Sequence, residues 1–166
     1  MKELAEAIAT LARVGYLKPA PGTWGSAASV PLLWALHQTG GTLLVCAGIV
    51  VAFVVGLWSI QEWTRGDDDP DHAEIVIDEL VGQWIALLPV SIGATVMGVD
   101  SSVLWPGWIS GFVLFRLFDI WKPLWIGKAD KRGDAMGVML DDVLAGIAAA
   151  VVTLVLAGLT HGLMMQ

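Results

Sequence analysis

"GTLLVCAGIVVAFVVGLWSI", residues 41–60, decides the fold, because it runs for twenty residues without a charge. At the helical rise such a run is about 30 Å long, the thickness of a bilayer's hydrocarbon core. Lipid offers the backbone no hydrogen bonds, so a segment this apolar crosses as a helix. Residues 80–99 carry no charge either, and nor do residues 143–160. Of all 166 residues, 56% are hydrophobic and 15% charged, where soluble domains have about a quarter charged. Mean hydropathy is +0.71. The composition predicts an all-α, polytopic membrane helical bundle.

Five apolar runs follow from the pattern, near 25–38, 41–60, 80–99, 103–121 and 143–164. The first is short and holds Pro31 and His37, so it is either a complete span or a re-entrant helix. At the N-terminus, MKELAEAIATLARVGYL has Glu3, Glu6 and Arg13 where a signal peptide needs an apolar core. It reads instead as an amphipathic surface helix with Leu4, Ile8 and Leu11 on one face. No repeat or shift in composition divides the chain, so residues 1–166 are expected to form one domain. Cys46 stands alone in an apolar run and serves packing, with no internal disulfide framework. A net charge of −7 lacks the basic footprint that nucleic acid requires. Trp24, Trp58, Trp63, Trp105, Trp108, Trp121 and Trp125 fall near run ends, as in an interfacial aromatic belt.

Five crossings would put the N-terminus and residues 61–79 and 122–142 on one side. That side receives Lys2, Arg13, Lys18, Arg65, Lys122, Lys128, Lys131 and Arg132, with Arg116 one or two turns inside it. The other side receives no Lys or Arg, and the positive-inside rule makes the charged side cytoplasmic. Only Asp100 among the sixteen acids falls opposite. Asp67, Asp68, Asp69 and Asp71 read as a solvated acidic loop. Asp78, Glu79, Asp119, Asp141 and Asp142 lie at span edges and should meet at one depth.

Carboxylates converging beside lipid repel one another and lose hydration, so they need a cation or neutralisation. A set of hard oxygen ligands without Cys or His suits Mg²⁺, Mn²⁺ or Ca²⁺ rather than zinc. The plainer explanation is that each pair sits at a helix N-terminus, where the dipole favours anions. Asp119 does not fit it, because it closes a run. In "FRLFDIWKP", residues 115–123, Arg116, Asp119 and Lys122 recur every three residues and share a face before Pro123 stops the helix. That pattern suits a metal-bound phosphate, with Asp119 on the metal and the cations on phosphate oxygens. Snorkelling basic side chains are the alternative. "PGTWGS", residues 21–26, reads as a Gly-rich loop whose Thr23 and Ser26 precede a helix, suited to phosphate or to ordinary capping. "GDAMGVMLDD", residues 133–142, reads as a flexible approach to the last pair, with Asp134 a further candidate ligand or base. Gly82 and Gly146 each follow an acid by four residues and would let helices approach closely.

Taken in order, PGTWGS, IVIDELVG, FRLFDIWKP and GVMLDDVLAG resemble the phosphatidylglycerophosphatase A family over nearly the whole chain. The resemblance implies a Mg²⁺-dependent bacterial inner-membrane phosphatase with its active site facing the cytoplasm. Its substrate would be phosphatidylglycerophosphate in the membrane, converted to phosphatidylglycerol and phosphate. Position by position, it implies Asp78, Glu79, Asp119, Asp141 and Asp142 as metal or catalytic residues. Lys122 joins the catalytic set, and Thr23, Ser26, Arg116 and Lys122 are the expected substrate-binding residues.

Other phosphatase chemistries lack their residues. There is no Cys followed by five residues and Arg, and no D-x-D-x-T/V stretch. His37, His72 and His161 lack a phosphohistidine signature; His37 and His161 read as polar residues near the far interface. His72, beside Asp71, reads as a loop histidine able to assist as an acid or base. A metal-activated water is the expected nucleophile, with a carboxylate as the alternative. The competing class is a small divalent-cation transporter, but such sites usually lie near the bilayer midplane. Arg116 and Lys122 would also oppose a cation's passage. A non-catalytic lipid-binding subunit would not need five convergent carboxylates.

Overall fold

The computed structural model describes residues 1–67, 70–123 and 125–164, without the side chains of 130 and 160–164. The expectations for Asp68, Asp69 and the side chain of His161 therefore lie outside the described residues. The helices are α1 (Lys2–Ala9), α2 (Pro21–Trp63), α3 (Ile77–Met97), α4 (Trp105–Trp121), α5 (Trp125–Asp130) and α6 (Ala135–Met164), and no strand occurs among the described residues. Four stretches are long and apolar enough to cross a membrane: Pro21–Trp63, Ile77–Met97, Ser101–Trp121 and Ala135–Leu159. A bilayer-spanning surface is also evident from what is exposed. Leu43, Val50, Val54, Val113, Ile120 and Val151 all face outward, as helices bathed in lipid require.

α2 has 43 residues, about twice one span. It breaks at Gly41, whose φ of 63° and ψ of −161° are open only to glycine. The chain then turns back on itself. A Cβ at Gly48 would lie 2.9 Å from Leu36 Cδ1, although twelve residues of straight helix would separate the two by about 18 Å. Residues 21–40 and 42–63 are thus antiparallel arms of one hairpin, each about 30 Å long. The first apolar run is as long as the second, and it begins at Pro21 rather than near residue 25.

α3 lies in the hairpin from its open end to its apex. Gly25 abuts Val76, and Gly56 abuts Ile77. Midway, Trp84 Nε1 donates to the Ser29 carbonyl at 2.8 Å. At the apex, Thr42 Oγ1 donates to the Ser91 carbonyl at 2.9 Å. This helix carries most of the core, including Val76, Leu80, Val81, Leu87 and Val90. α6 meets it at the two glycines picked from the sequence. A Cβ on Gly146 would sit 2.3 Å from the Gly82 carbonyl, and one on Gly82 would sit 2.6 Å from the Asp142 carbonyl. Small residues set that backbone approach.

Two expectations are corrected here. α1 buries Ala5 and Ala9, while Leu4 is 59% exposed. The alanine face wins because it permits close contact with α2; Leu11 lies beyond the helix end and packs on the core. α6 begins at Ala135, so Asp141 and Asp142 sit nearly two turns inside it rather than at its head.

Candidate active site

Four helices deliver charged or polar groups to one end of the bundle. α3 brings Asp78 and Glu79 in its first turn, and α4 brings Arg116 and Asp119 near its end. α6 brings Asp141 and Asp142, and the start of α2 brings Gly22 and Ser26. All five carboxylates are buried, from 3% exposed at Asp142 to 9% at Asp78 and Asp119.

The two acid pairs use one device. Asp78 Oδ1 accepts the Glu79 backbone N–H at 2.9 Å, and Asp141 Oδ1 accepts that of Asp142 at 3.0 Å. The first acid of each pair is turned onto its own backbone. The second acids, Glu79 and Asp142, join Asp119 in a cluster whose carboxylate oxygens lie within 4.8 Å of one another. Simple helix capping does not account for this arrangement. Asp141 and Asp142 are not in a first turn, and no side chain caps α3 at Val76.

Two cations stand against five acids. Arg116 Nη1 pairs with Glu79 Oε2 and, at 2.9 Å, with Asp119 Oδ2. Ser26 Oγ lies 3.0 Å from the same Glu79 oxygen and 3.4 Å from Arg116 Nη1. Lys122 Nζ pairs with Asp141 Oδ2 at 2.8 Å. The three-residue spacing predicts Lys122 on the helix face of Arg116 and Asp119. It is instead the residue after α4, in the left-handed conformation (φ 46°, ψ 53°), with its N–H on the Phe118 carbonyl. That turn, just before Pro123, aims it at the acids by a different route.

A pocket of about 160 Å³ opens on this cluster, lined by Asp78, Glu79, Asp119, Asp141, Asp142 and Lys122. Neither Thr23, Ser26 nor Arg116 lines it; Gly22 does. PGTWGS is not a loop. Pro21 is the first residue of α2, a position where proline's missing N–H costs nothing. Ser26 and Arg116 serve the carboxylates from behind, and Thr23 stands apart from the pocket wall. Asp134 is also set aside. Its Oδ1 accepts from Gly137 N at 2.7 Å, capping α6, and both its oxygens meet Arg132. Hydrogen bonding from Arg132 holds the Asp134 carboxyl below its usual range.

Two features of the site, at Gly22 and Gln83, escape the sequence reading. A third, His72, is read there only as a loop histidine able to assist as an acid or base. Gly22 lies directly against the Glu79 carboxylate, since a Cβ there would fall 1.9 Å from Glu79 Oε1 and displace it. Gln83, one turn beyond Glu79, is fully buried, and neither amide atom has a partner; an amide in an apolar run was its only signal. His72 also lines the pocket, together with Asp71.

The donor chemistry suits a hard divalent cation. The cluster is built from carboxylate oxygens, and Asp142 Oδ2 is buried without a hydrogen-bond partner. Glu79, Asp119 and Asp142 could hold such an ion, with no soft ligand among them to favour zinc. A family model described as Phosphatidylglycerophosphatase A matches residues 7–157, which include every residue of this site. The chain belongs to the phosphatidylglycerophosphatase A family. Phosphatidylglycerophosphatase A of Haemophilus influenzae is 36% identical over 139 residues, covering 83% of this chain and 79% of that one. Phosphatidylglycerophosphatase A of Escherichia coli is 31% identical over 131 residues, covering 78% and 70%. A Bacteroides thetaiotaomicron protein named putative phosphatidylinositol-3-phosphatase is 36% identical over 138 residues, covering 80% of each. No solved structure matches the chain. Family membership makes this protein a membrane-embedded lipid phosphatase, and the transporter alternative finds no support.

Proposed function

We propose that this protein hydrolyses the terminal phosphate of phosphatidylglycerophosphate, releasing phosphatidylglycerol and phosphate. In this reading Glu79, Asp119 and Asp142 hold Mg²⁺, and the site faces the cytoplasm across the bacterial inner membrane. The observation that carries it is the trio of buried carboxylates within 4.8 Å of one another, opening on a pocket that Lys122 also lines. Asp78 and Asp141 line the same pocket and are available to complete an oxygen shell. When bound, the cation supplies charge against the phosphoryl oxygens and acidifies water.

The chain's own residues do the rest. Lys122 offers an ammonium to the phosphoryl oxygens at the pocket wall. Arg116 offsets the charge of Glu79 and Asp119, and Ser26 fixes the Glu79 carboxylate. The pocket has room for a phosphoryl group but not for acyl chains, which stay on the exposed apolar flanks. Phosphoryl transfer rests on positioning and electrostatics, so no Ser, Cys or His nucleophile is needed and water attacks phosphorus. The cytoplasmic orientation is supported by the basic residues, which flank this end of the bundle.

Phosphate release from phosphatidylglycerophosphate by the detergent-solubilised protein tests the reading. Release should require Mg²⁺ and stop with a chelator. Full activity in chelator would remove the metal from the scheme. Release only from a phosphoinositide monophosphate would move the substrate toward the name of the Bacteroides relative. Reporter fusions in the 65–71 loop and at the C-terminus should fall on opposite sides of the membrane.

A further inference from the structure

His72 lies in the wall of the same pocket as Asp78, Glu79, Asp119 and Lys122. Its ring is held from two sides. Nε2 lies 3.3 Å from Asp67 Oδ2, and the ring stands edge-on to Trp63 with centroids 5.4 Å apart. Asp71, its neighbour in sequence, shares the pocket wall. An imidazole with a carboxylate on one nitrogen and its ring braced is the arrangement that orients a proton-transfer group elsewhere. A cation held by the carboxylates of this pocket would address the phosphoryl oxygens, as would Lys122. An unassisted glycerol alkoxide is a strongly basic leaving group, so its departure calls for a proton donor at the pocket wall.

We propose that His72, oriented by Asp67, is the general acid that protonates the glycerol oxygen as it leaves phosphorus. This rests on the phosphatase reading above. Water forms the new P–O bond while the ester P–O bond breaks. The bond's electron pair departs on the glycerol oxygen, which takes the proton from the His72 imidazolium. The phosphate first carries both protons of the attacking water, then loses one to solvent. A solvent proton recharges His72, so the sum is ester plus water to alcohol plus hydrogen phosphate.

Leaving-group dependence tests this. The full-length protein in detergent micelles with Mg²⁺ is assayed on phosphatidylglycerophosphate and on an aryl phosphate monoester whose phenolate leaves without protonation. His72→Asn should lower kcat on the lipid by about 10²-fold, while kcat on the aryl ester changes less than about threefold. Asp67→Asn should give a smaller loss with the same selectivity. Because both substrates are read on one preparation, any loss of folded protein cancels in their ratio. An equal loss on both esters would make His72 a headgroup contact or structural residue and overturn the proposal, as would no loss on either. Wild-type protein inert to both esters would instead overturn the phosphatase reading, and this proposal with it.

Discussion

At the apex of the α2 hairpin, His37 Nδ1 meets Ser91 Oγ at 2.8 Å and Thr42 Oγ1 meets the same oxygen at 3.0 Å. Thr95 Oγ1 closes the chain with Thr42 at 2.8 Å. Asp100 beside it accepts from Ser102 N at 2.8 Å and from Gln38 Nε2 at 3.1 Å. At the opposite end of the bundle, Asp142 Oδ2, Arg116 Nε and both amide atoms of Gln83 are buried with no partner. Among the described residues, the other such atoms are neutral hydroxyls away from the acids, those of Ser101 and Thr153. Leaving a buried polar group unpaired costs roughly 1–3 kcal/mol, and more when it is charged. A closed network holds helices together. The acid end keeps charged atoms without protein partners, and that is where a ligand has something to complete.

The largest expected contrast between the ends is in turnover. Asp142→Asn removes one charge at nearly constant volume, and kcat should fall by about 10³-fold or more, roughly the loss of one strong transition-state contact. The fold should survive, because the variant relieves repulsion among clustered acids. Thermal unfolding in divalent-free detergent should occur at the same or a higher temperature than in wild type. Near wild-type turnover would show that the open end is not the site.

Stability separates the ends next. Arg116 offsets two buried carboxylates, so Arg116→Met leaves both without their counter-ion. Breaking a buried pair in this way should cost about 3 kcal/mol. Its side chain is 14% exposed, so solvent screening removes little of that. Denaturation of the variant in detergent measures the loss, and added Mg²⁺ should recover part of it by replacing the missing positive charge. Unchanged stability in divalent-free buffer would mean the acids are already neutral without Arg116.

Which of these features the sequence could disclose follows from their physics. Lipid forces helices, so apolar run length located α3 and α4 to within three residues at each end. It misplaced the start of α6, because residues 135–142 are helical by backbone while two acids mask them in hydropathy. It missed Pro21 as a helix start because Gly22 and Gly25 read as loop, whereas they are close-contact positions against Glu79 and Val76. Charge at span edges found all five carboxylates, since intramembrane charge is too costly to be incidental. Their partners were less legible. Spacing put Arg116 on the right face but could not show that acids already occupy it. Lys122 reaches the site through a left-handed turn that no propensity marks for lysine. His72 reads from the sequence as a loop histidine able to assist as an acid or base, but its place in the pocket wall is a tertiary fact with no local signature.

The smallest expected effect is at the apex, and it is the sharpest check on the contrast. Ser91 joins both arms of the α2 hairpin to α3, because its hydroxyl meets His37 on one arm and Thr42 on the other. Ser91→Ala removes that hydroxyl while leaving the Ser91 backbone carbonyl bond to Thr42 in place. Interhelical hydrogen bonds within membranes contribute about 0.6 kcal/mol each on average. Loss of two should therefore cost about 1 kcal/mol, with Thr42 still satisfied by Thr95 and the carbonyl. Because this network is closed and lies at the far end of α3 from Glu79, kcat and Mg²⁺ dependence should not move. Unfolding titrations alongside phosphate release measure both quantities. If Ser91→Ala leaves stability intact but lowers turnover, the apex is coupled to the acid cluster along α3. The separation between a structural end and a chemical end would then fail.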